Sequence, residues 1–267
     1  MNFRLKAAAV VLSLLLCLGI GLRSLEVAAG SELVAPAMAS PDGGLCAGAG
    51  CGASAAVLGG FRALAADVLW LQTYLAWAAR DVRQTQTLIH LVTLVDDRPL
   101  GFWLNGARML AYDMTQWRLN ELDGAGPTVA IASKRIREEQ AGLALRYLGQ
   151  ARRRHPGSAE ICVEIANIHL NIRRDLAAAA FWYRRAAESP SAPYYAARIH
   201  AELLKRLGRP NDAYVWLRDL HPKLPRNEEA AMSDVILKRI RDLEEILAIP
   251  VAERYSTGAA SGRPKDS

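Results

Sequence analysis

The chain has 267 residues, of which 51% are hydrophobic and 22% are charged, and its formal net charge is +6. This balance excludes a fully disordered chain and a polytopic membrane protein, and it leaves enough apolar residues for one core or a short repeat array. A nucleic-acid interface would need the short basic clusters, such as Arg152–Arg154, on one stripe with interleaved aromatic residues. We interpret them instead as solvated helix faces and do not expect nucleic acid as a partner.

The N-terminus carries the pattern of an export signal or a membrane anchor. Arg4 and Lys6 precede an uncharged apolar run from Ala7 to Leu22. This run is shorter than the roughly 20 residues that a membrane-spanning helix needs. Residues 1–23 are therefore predicted to be a signal peptide or a signal anchor. The basic flank places the bulk of an anchored chain in the periplasm, on the outer side of the inner membrane, and secretion after cleavage is the alternative.

Residues 24–56 are rich in Ala, Gly and Ser and show no helical period, which predicts a flexible linker. Cys46 and Cys51 lie in this segment and could form a local disulfide in an exported chain. The sequence contains no Cys-x-x-Cys pair, so neither a zinc ribbon nor a thioredoxin-like motif is supported.

The segment from Val57 onward follows helical periodicity, which predicts an all-α domain over 57–250 and a disordered tail over 251–267. The first helix has two apolar faces, so we expect neighbours to cover both. Asn227 is predicted to cap the last helix. The predicted helices cover 57–79, 82–95, 100–117, 130–153, 159–172, 176–188, 194–207, 211–220 and 228–248, with an irregular stretch over 119–128.

An internal period of 34 residues separates Ala179 from Ala213 and Tyr183 from Leu217. This is the period of tetratricopeptide repeats. The stretch 201–217, which contains Gly208 at the turn position, resembles a repeat of that family.

The resemblance is good over 158–225 and only architectural over 57–156. In the preceding repeat, Arg174-Asp175 replaces the turn glycine. The segment 58–71 is also similar to the opening helix of membrane-anchored bacterial repeat proteins.

The resemblance implies an α-α superhelix, a right-handed solenoid of antiparallel helix pairs that follows the N-terminal hydrophobic helix. Its first helices would line a concave surface that takes a peptide or a partner protein. The candidate partner-binding residues on these helices are Asn167, Asn171, Arg198, His200, Glu202 and Lys205.

No catalytic, cofactor or metal motif stands out in the sequence. None of the five histidines lies in His-Glu-x-x-His, and no Walker loop, dinucleotide fingerprint or Gly-x-Ser-x-Gly is present. We therefore predict no catalytic residue, no cofactor and no metal. Asp67, in a very apolar helix, would need a partner such as Arg62 or Arg108 if it were buried.

These patterns favour a non-catalytic protein-interaction scaffold of the bacterial cell envelope. One alternative is a cell-envelope hydrolase or transferase with a pocket that collects Asp67, Asp113, His90 or Arg108. Another is a peripheral binder of anionic lipid or nucleic acid that uses the basic clusters.

Overall fold

The computed structural model describes residues 49–225 and 228–256, and within these ranges the chain is helical with no β-strand. The prediction of an all-α chain is confirmed at this level. The helices are α1 (Ala49–Ala78), α2 (Val82–Val95), α3 (Leu100–Arg108), α4 (Met114–Asn120), α5 (Pro127–Arg154), α6 (Ala159–Ile168), α7 (Leu176–Ala187), α8 (Tyr194–Arg206), α9 (Pro210–Leu220) and α10 (Ser233–Ile246). One π-helical segment, π1 (Met109–Asp113), joins α3 to α4, and a second, π2 (His169–Arg173), extends α6.

Side-chain caps begin three of the described helices, α2, α6 and α7, at the predicted residues. The Asp81 side chain accepts a hydrogen bond from the Gln84 N–H and starts α2 at the predicted position. Helices α1 and α10 differ most from their predictions. Helix α1 begins at Ala49, inside the predicted linker over 24–56. Helix α10 begins at Ser233, after a 3₁₀ turn and a left-handed residue, Met232. The predicted cap, Asn227, lies outside the described residues, as do the predicted anchor over 1–23 and Cys46.

Two compact units divide the chain, Met1–Leu71 and Gln72–Ser267. The described part of the first unit belongs to α1. Its 3–4-spaced apolar face is exposed, with Phe61 46%, Leu64 43%, Val68 46% and Leu71 64% accessible. The expectation that neighbours cover both faces of α1 is therefore wrong for this face. In the described part of the chain, every helix is too short or too polar to cross a bilayer.

Helices of the second unit pack mainly against their neighbours in sequence. One core cluster joins α6, α7 and α8, and a second joins α8, α9 and α10. Helix α8 supplies Leu203 to the first cluster and Leu204 to the second, because adjacent helical residues point to different sides. Neither cluster is complete within one helical pair, which is the packing pattern of repeat proteins.

The turn between α6 and α7 and the turn between α8 and α9 each contain a residue with a positive φ. Arg174 has φ 56° and ψ 32°, and Gly208, 34 residues later, has φ 73°. Arg174 stands where the repeat pattern has the turn glycine, and its φ is also positive. Asp175 then caps α7 by accepting from the Ala178 N–H.

Candidate functional site

The two π segments lie next to each other, and each supplies a polar side chain to a shared contact. The Tyr112 phenol of π1 interacts with the Asn171 side chain of π2, which partly offsets the rise in the pKa of the phenol. A π turn inserts a residue into a helix and redirects the side chains around it, and such turns are frequent at functional sites. We define the polar seam as the connected polar residues around this contact: Arg108, Tyr112, Glu164, Asn167, Asn171 and Tyr183.

The ion pair between Arg108 and Glu164 joins α3 to α6. The Arg108 Nε donates to the Glu164 Oε2 at 2.9 Å. The Glu164 side chain is only 3% exposed, whereas the Arg108 side chain is 53% exposed. A buried carboxylate needs a partner, and the guanidinium supplies it while keeping one edge in water.

Two tyrosines of the seam stay protonated at neutral pH. Burial, reinforced by the Glu164 carboxylate, raises the pKa of Tyr112 to about 12. Burial also raises the pKa of Tyr183 to about 12, and the Tyr183 hydroxyl donates to the Asn167 side-chain oxygen. These phenols therefore act as hydrogen-bonding groups, and their pKa values are far from those that suit a general base near pH 7.

The sequence pointed to Asn167 and Asn171 as binding residues, and to Arg108 only as a partner of Asp67 or part of an enzyme pocket. Tyr112, Glu164 and Tyr183 were missed. A signal was present, because Glu164, Asn167 and Asn171 follow the i, i+3, i+7 spacing of one helical face within an apolar helix. Their partners on α3 and α7 are distant in sequence, and no local spacing points to them.

The remaining predicted site residues fall into two groups. Glu202 and Lys205 are exposed on α8 and line a small hollow with Asp242 of α10. Arg198 is half-buried, and its Nη1 donates to the carbonyl oxygen of Ala230 at 3.2 Å. Arg198, Glu202 and Lys205 therefore place polar side chains on the surface of α8.

His200 lies in the interior, in contrast to its predicted place on a binding surface. Its Nδ1 is 2.9 Å from the Ala180 carbonyl oxygen, and its ring packs edge-on to Trp216 with centroids 4.6 Å apart. Burial lowers the pKa of His200, so the ring is neutral near pH 7. His200 is not part of the proposed binding surface, because only 6% of the residue is exposed.

The residues named for an envelope enzyme have separate partners. The Trp77 Nε1 donates to Asp113 at 2.8 Å, and His90 packs edge-on to Tyr147. Arg108 belongs to the polar seam. Asp67 is exposed, so the condition under which it would need a buried partner does not arise.

A second polar cluster, which sequence analysis missed, holds the chain after α10. His221 lies between two hydroxyls: its Nε2 is 3.1 Å from the Ser233 Oγ, and its Nδ1 is 3.0 Å from the Tyr255 hydroxyl. The Tyr255 N–H donates to the buried Glu244 carboxylate at 2.6 Å. Residues 251–256 of the predicted tail are thus folded against α10, while 257–267 lie outside the described residues. Tyr255, the last aromatic residue of the chain, was the available signal.

No protein-family model matches the chain, and neither does any curated protein. The resemblance to tetratricopeptide repeats therefore stays a prediction that rests on the residues named above. Over 49–225 and 228–256, no group of three or more His, Cys, Asp or Glu side chains is arranged to hold a metal ion. Cys162 is a half-buried free thiol, and burial raises its pKa.

Proposed function

We propose that this chain is a non-catalytic interaction scaffold that binds a polypeptide partner along the polar seam and the exposed side of α8. The observation that carries the proposal is the fixed geometry of the seam. Arg108 is exposed yet held by a hydrogen bond to Glu164, and Asn171 is exposed and interacts with Tyr112. Side chains that are already ordered lose less conformational entropy when a partner binds, and this favours recognition.

The proposed framework is a superhelix of the tetratricopeptide type. Support comes from the left-handed turns at Arg174 and Gly208, 34 residues apart, and from core clusters that join consecutive helices. In such a superhelix, α6 and α8 are the first helices of successive pairs and line one surface. Asn171, Glu202 and Lys205 would then contact the same partner.

We further propose that residues 1–23 hold the chain at the inner membrane, with its bulk in the periplasm. Support comes from the basic residues Arg4 and Lys6 before the apolar run. Secretion after cleavage is the alternative. A scaffold in this position would recruit a partner to an assembly of the cell envelope.

Site-specific photo-cross-linking in the cells that produce the full-length chain tests the proposal. A photoreactive residue at Asn171 or Glu202 should give the same discrete protein adduct. A matched probe at Arg146, which is exposed on α5, should not give it. The proposal fails if both test positions give no adduct, or if Arg146 gives an adduct of the same mass and yield.

A further inference from the structure

A cleft of about 380 Å³ between α5 and π2 is strongly basic. Helix α5 contributes Lys134, Arg137 and Glu138 to its wall, and the end of the π2 segment contributes Arg173 and Arg174. Four cations and one carboxylate therefore face the same space. The cleft adjoins the polar seam in sequence, because Asn171 precedes these arginines in the same helical segment.

The single carboxylate is already engaged. The Glu138 Oε2 accepts a hydrogen bond from the Arg173 Nε at 3.0 Å, and it lies 2.9 Å from the Arg173 Nη2 in an ion pair. Across the described ranges, Lys134, Arg137 and Arg174 make no ion pair with a carboxylate. Three cations of the cleft, Lys134, Arg137 and Arg174, are thus not neutralised, whereas the fourth, Arg173, is paired with the Glu138 carboxylate.

Arg174 stands where the backbone favours glycine. Its left-handed conformation is that of Gly208 in the following turn. An L-residue in this conformation costs roughly 1 kcal/mol relative to glycine. Nothing in the turn itself requires arginine at this position, and the residue adds one positive charge to the wall of the cleft.

We propose that this cleft binds an acidic segment of the polypeptide partner, with Asp or Glu carboxylates meeting Lys134, Arg137 and Arg174. The inference rests on the proposed function, because it names the chemistry of that partner. Guanidinium groups match planar carboxylates through paired N–H donors. Arg173 already binds one carboxylate, that of Glu138, in this cleft. The partner's acidic segment would extend from the seam across the end of π2.

The chain offers a matched control for this test. Arg80 also has a left-handed conformation, with φ 54°, and it also precedes an aspartate that caps the next helix. Replacing either Arg80 or Arg174 with glycine removes one positive charge and relieves the same backbone conformation. Only Arg174 lines the cleft.

The experiment measures fluorescence anisotropy of a labelled octaglutamate peptide added to the full-length chain, with an octaglutamine peptide as the uncharged probe. We expect Arg174→Gly to weaken octaglutamate binding about fivefold, which is the upper range for one exposed ion pair. Arg80→Gly should change it less than twofold, and octaglutamine should not bind. Circular dichroism checks that both variants keep the helical fold.

Two results would overturn the inference: octaglutamate binding that is unchanged in Arg174→Gly, or binding that is weakened equally in Arg80→Gly. A third is a difference between the variants that appears only with phosphatidylglycerol vesicles, which would assign the cleft to lipid headgroups. If the cross-linked adduct at Asn171 persists while octaglutamate does not bind, only this inference fails. If octaglutamate binds as expected but Asn171 and Glu202 give no adduct, the scaffold proposal fails instead.

Discussion

Replacing Arg108 with methionine should destabilise the fold because it leaves the Glu164 carboxylate without its ion-pair partner. Breaking a fully buried pair costs about 3–5 kcal/mol, and an exposed pair contributes up to about 1 kcal/mol. Since the Glu164 side chain is 3% exposed and that of Arg108 is 53% exposed, this pair lies between the two limits. We expect a loss of about 2 kcal/mol, or about 1 M in the urea midpoint for an m-value near 2 kcal/mol per M.

A double-mutant cycle separates the ion pair from other effects of Arg108→Met. Glu164→Gln removes the charge and leaves Arg108 solvated, so it should cost less than about 1 kcal/mol. The double variant should regain most of the loss, because no unpaired carboxylate is left buried. Urea unfolding followed by circular dichroism gives all four free energies. Additive losses, or an Arg108→Met variant as stable as the wild type, would refute the assigned role of the pair.

The pKa of Tyr112 in the polar seam gives a second, spectroscopic test of the Glu164→Gln variant. Burial is the main cause of the raised pKa of Tyr112, and the Glu164 carboxylate adds to it. In Glu164→Gln the pKa of Tyr112 should fall from about 12 but stay above its ordinary value of 10.0. Phenolate absorbance during alkaline titration measures this change, with Tyr112→Phe identifying the signal.

Three further predictions concern stability. Gly106→Ala would place a Cβ 2.8 Å from the Ile89 Cγ2, so an overpacking cost of about 1–3 kcal/mol should outweigh the gain in helix propensity. Urea unfolding measures the loss of stability. As a control, Gly149→Ala on α5 has nothing within 4 Å of the new Cβ and should stabilise the protein. Burial lowers the pKa of His200, so the unfolded state takes up the proton first and stability should fall as the pH drops below 6.5. In thermal melts, the melting temperature of His200→Gln should fall less steeply with pH than that of the wild type. Equal slopes in the two proteins would contradict this prediction. Burial alone would raise the pKa of Glu244, but its hydrogen bonds outweigh burial and lower the pKa. Glu244→Gln should therefore lose about 1–2 kcal/mol of unfolding free energy at pH 7, and less as the pH falls below 4.5. A loss that does not depend on pH would contradict this role of Glu244.

Helix positions could be predicted because their signals are local. The Asp81 cap and the apolar period that follows it lie within α2 itself, and α2 begins and ends where predicted. The start of α10 could not be predicted in this way. It depends on the left-handed conformation of Met232, a residue type with no preference for that region. The helical period and the predicted Asn227 cap together placed the start of this helix at residue 228.

The candidate site could be predicted only in part, because its contacts are long-range. The polar face of α6 was visible in the spacing of Asn167 and Asn171. The π segments were not, since both follow the same apolar period as an α-helix and differ only in backbone pairing. His200 illustrates the reverse error, because a polar residue on a helix can face inward when a carbonyl such as that of Ala180 satisfies it.

The 34-residue period is absent from the N-terminal half of the domain, although an Arg-Asp turn occurs there as it does between α6 and α7. Arg80-Asp81 and Arg174-Asp175 both place a left-handed residue before a capping aspartate. What changes is helix length, because α5 has 28 residues whereas α7 has 12 and α9 has 11. Longer helices shift the spacing of equivalent positions without altering how each hairpin turns. A left-handed residue before a capping aspartate therefore recurs over a longer part of the described chain than the 34-residue period does.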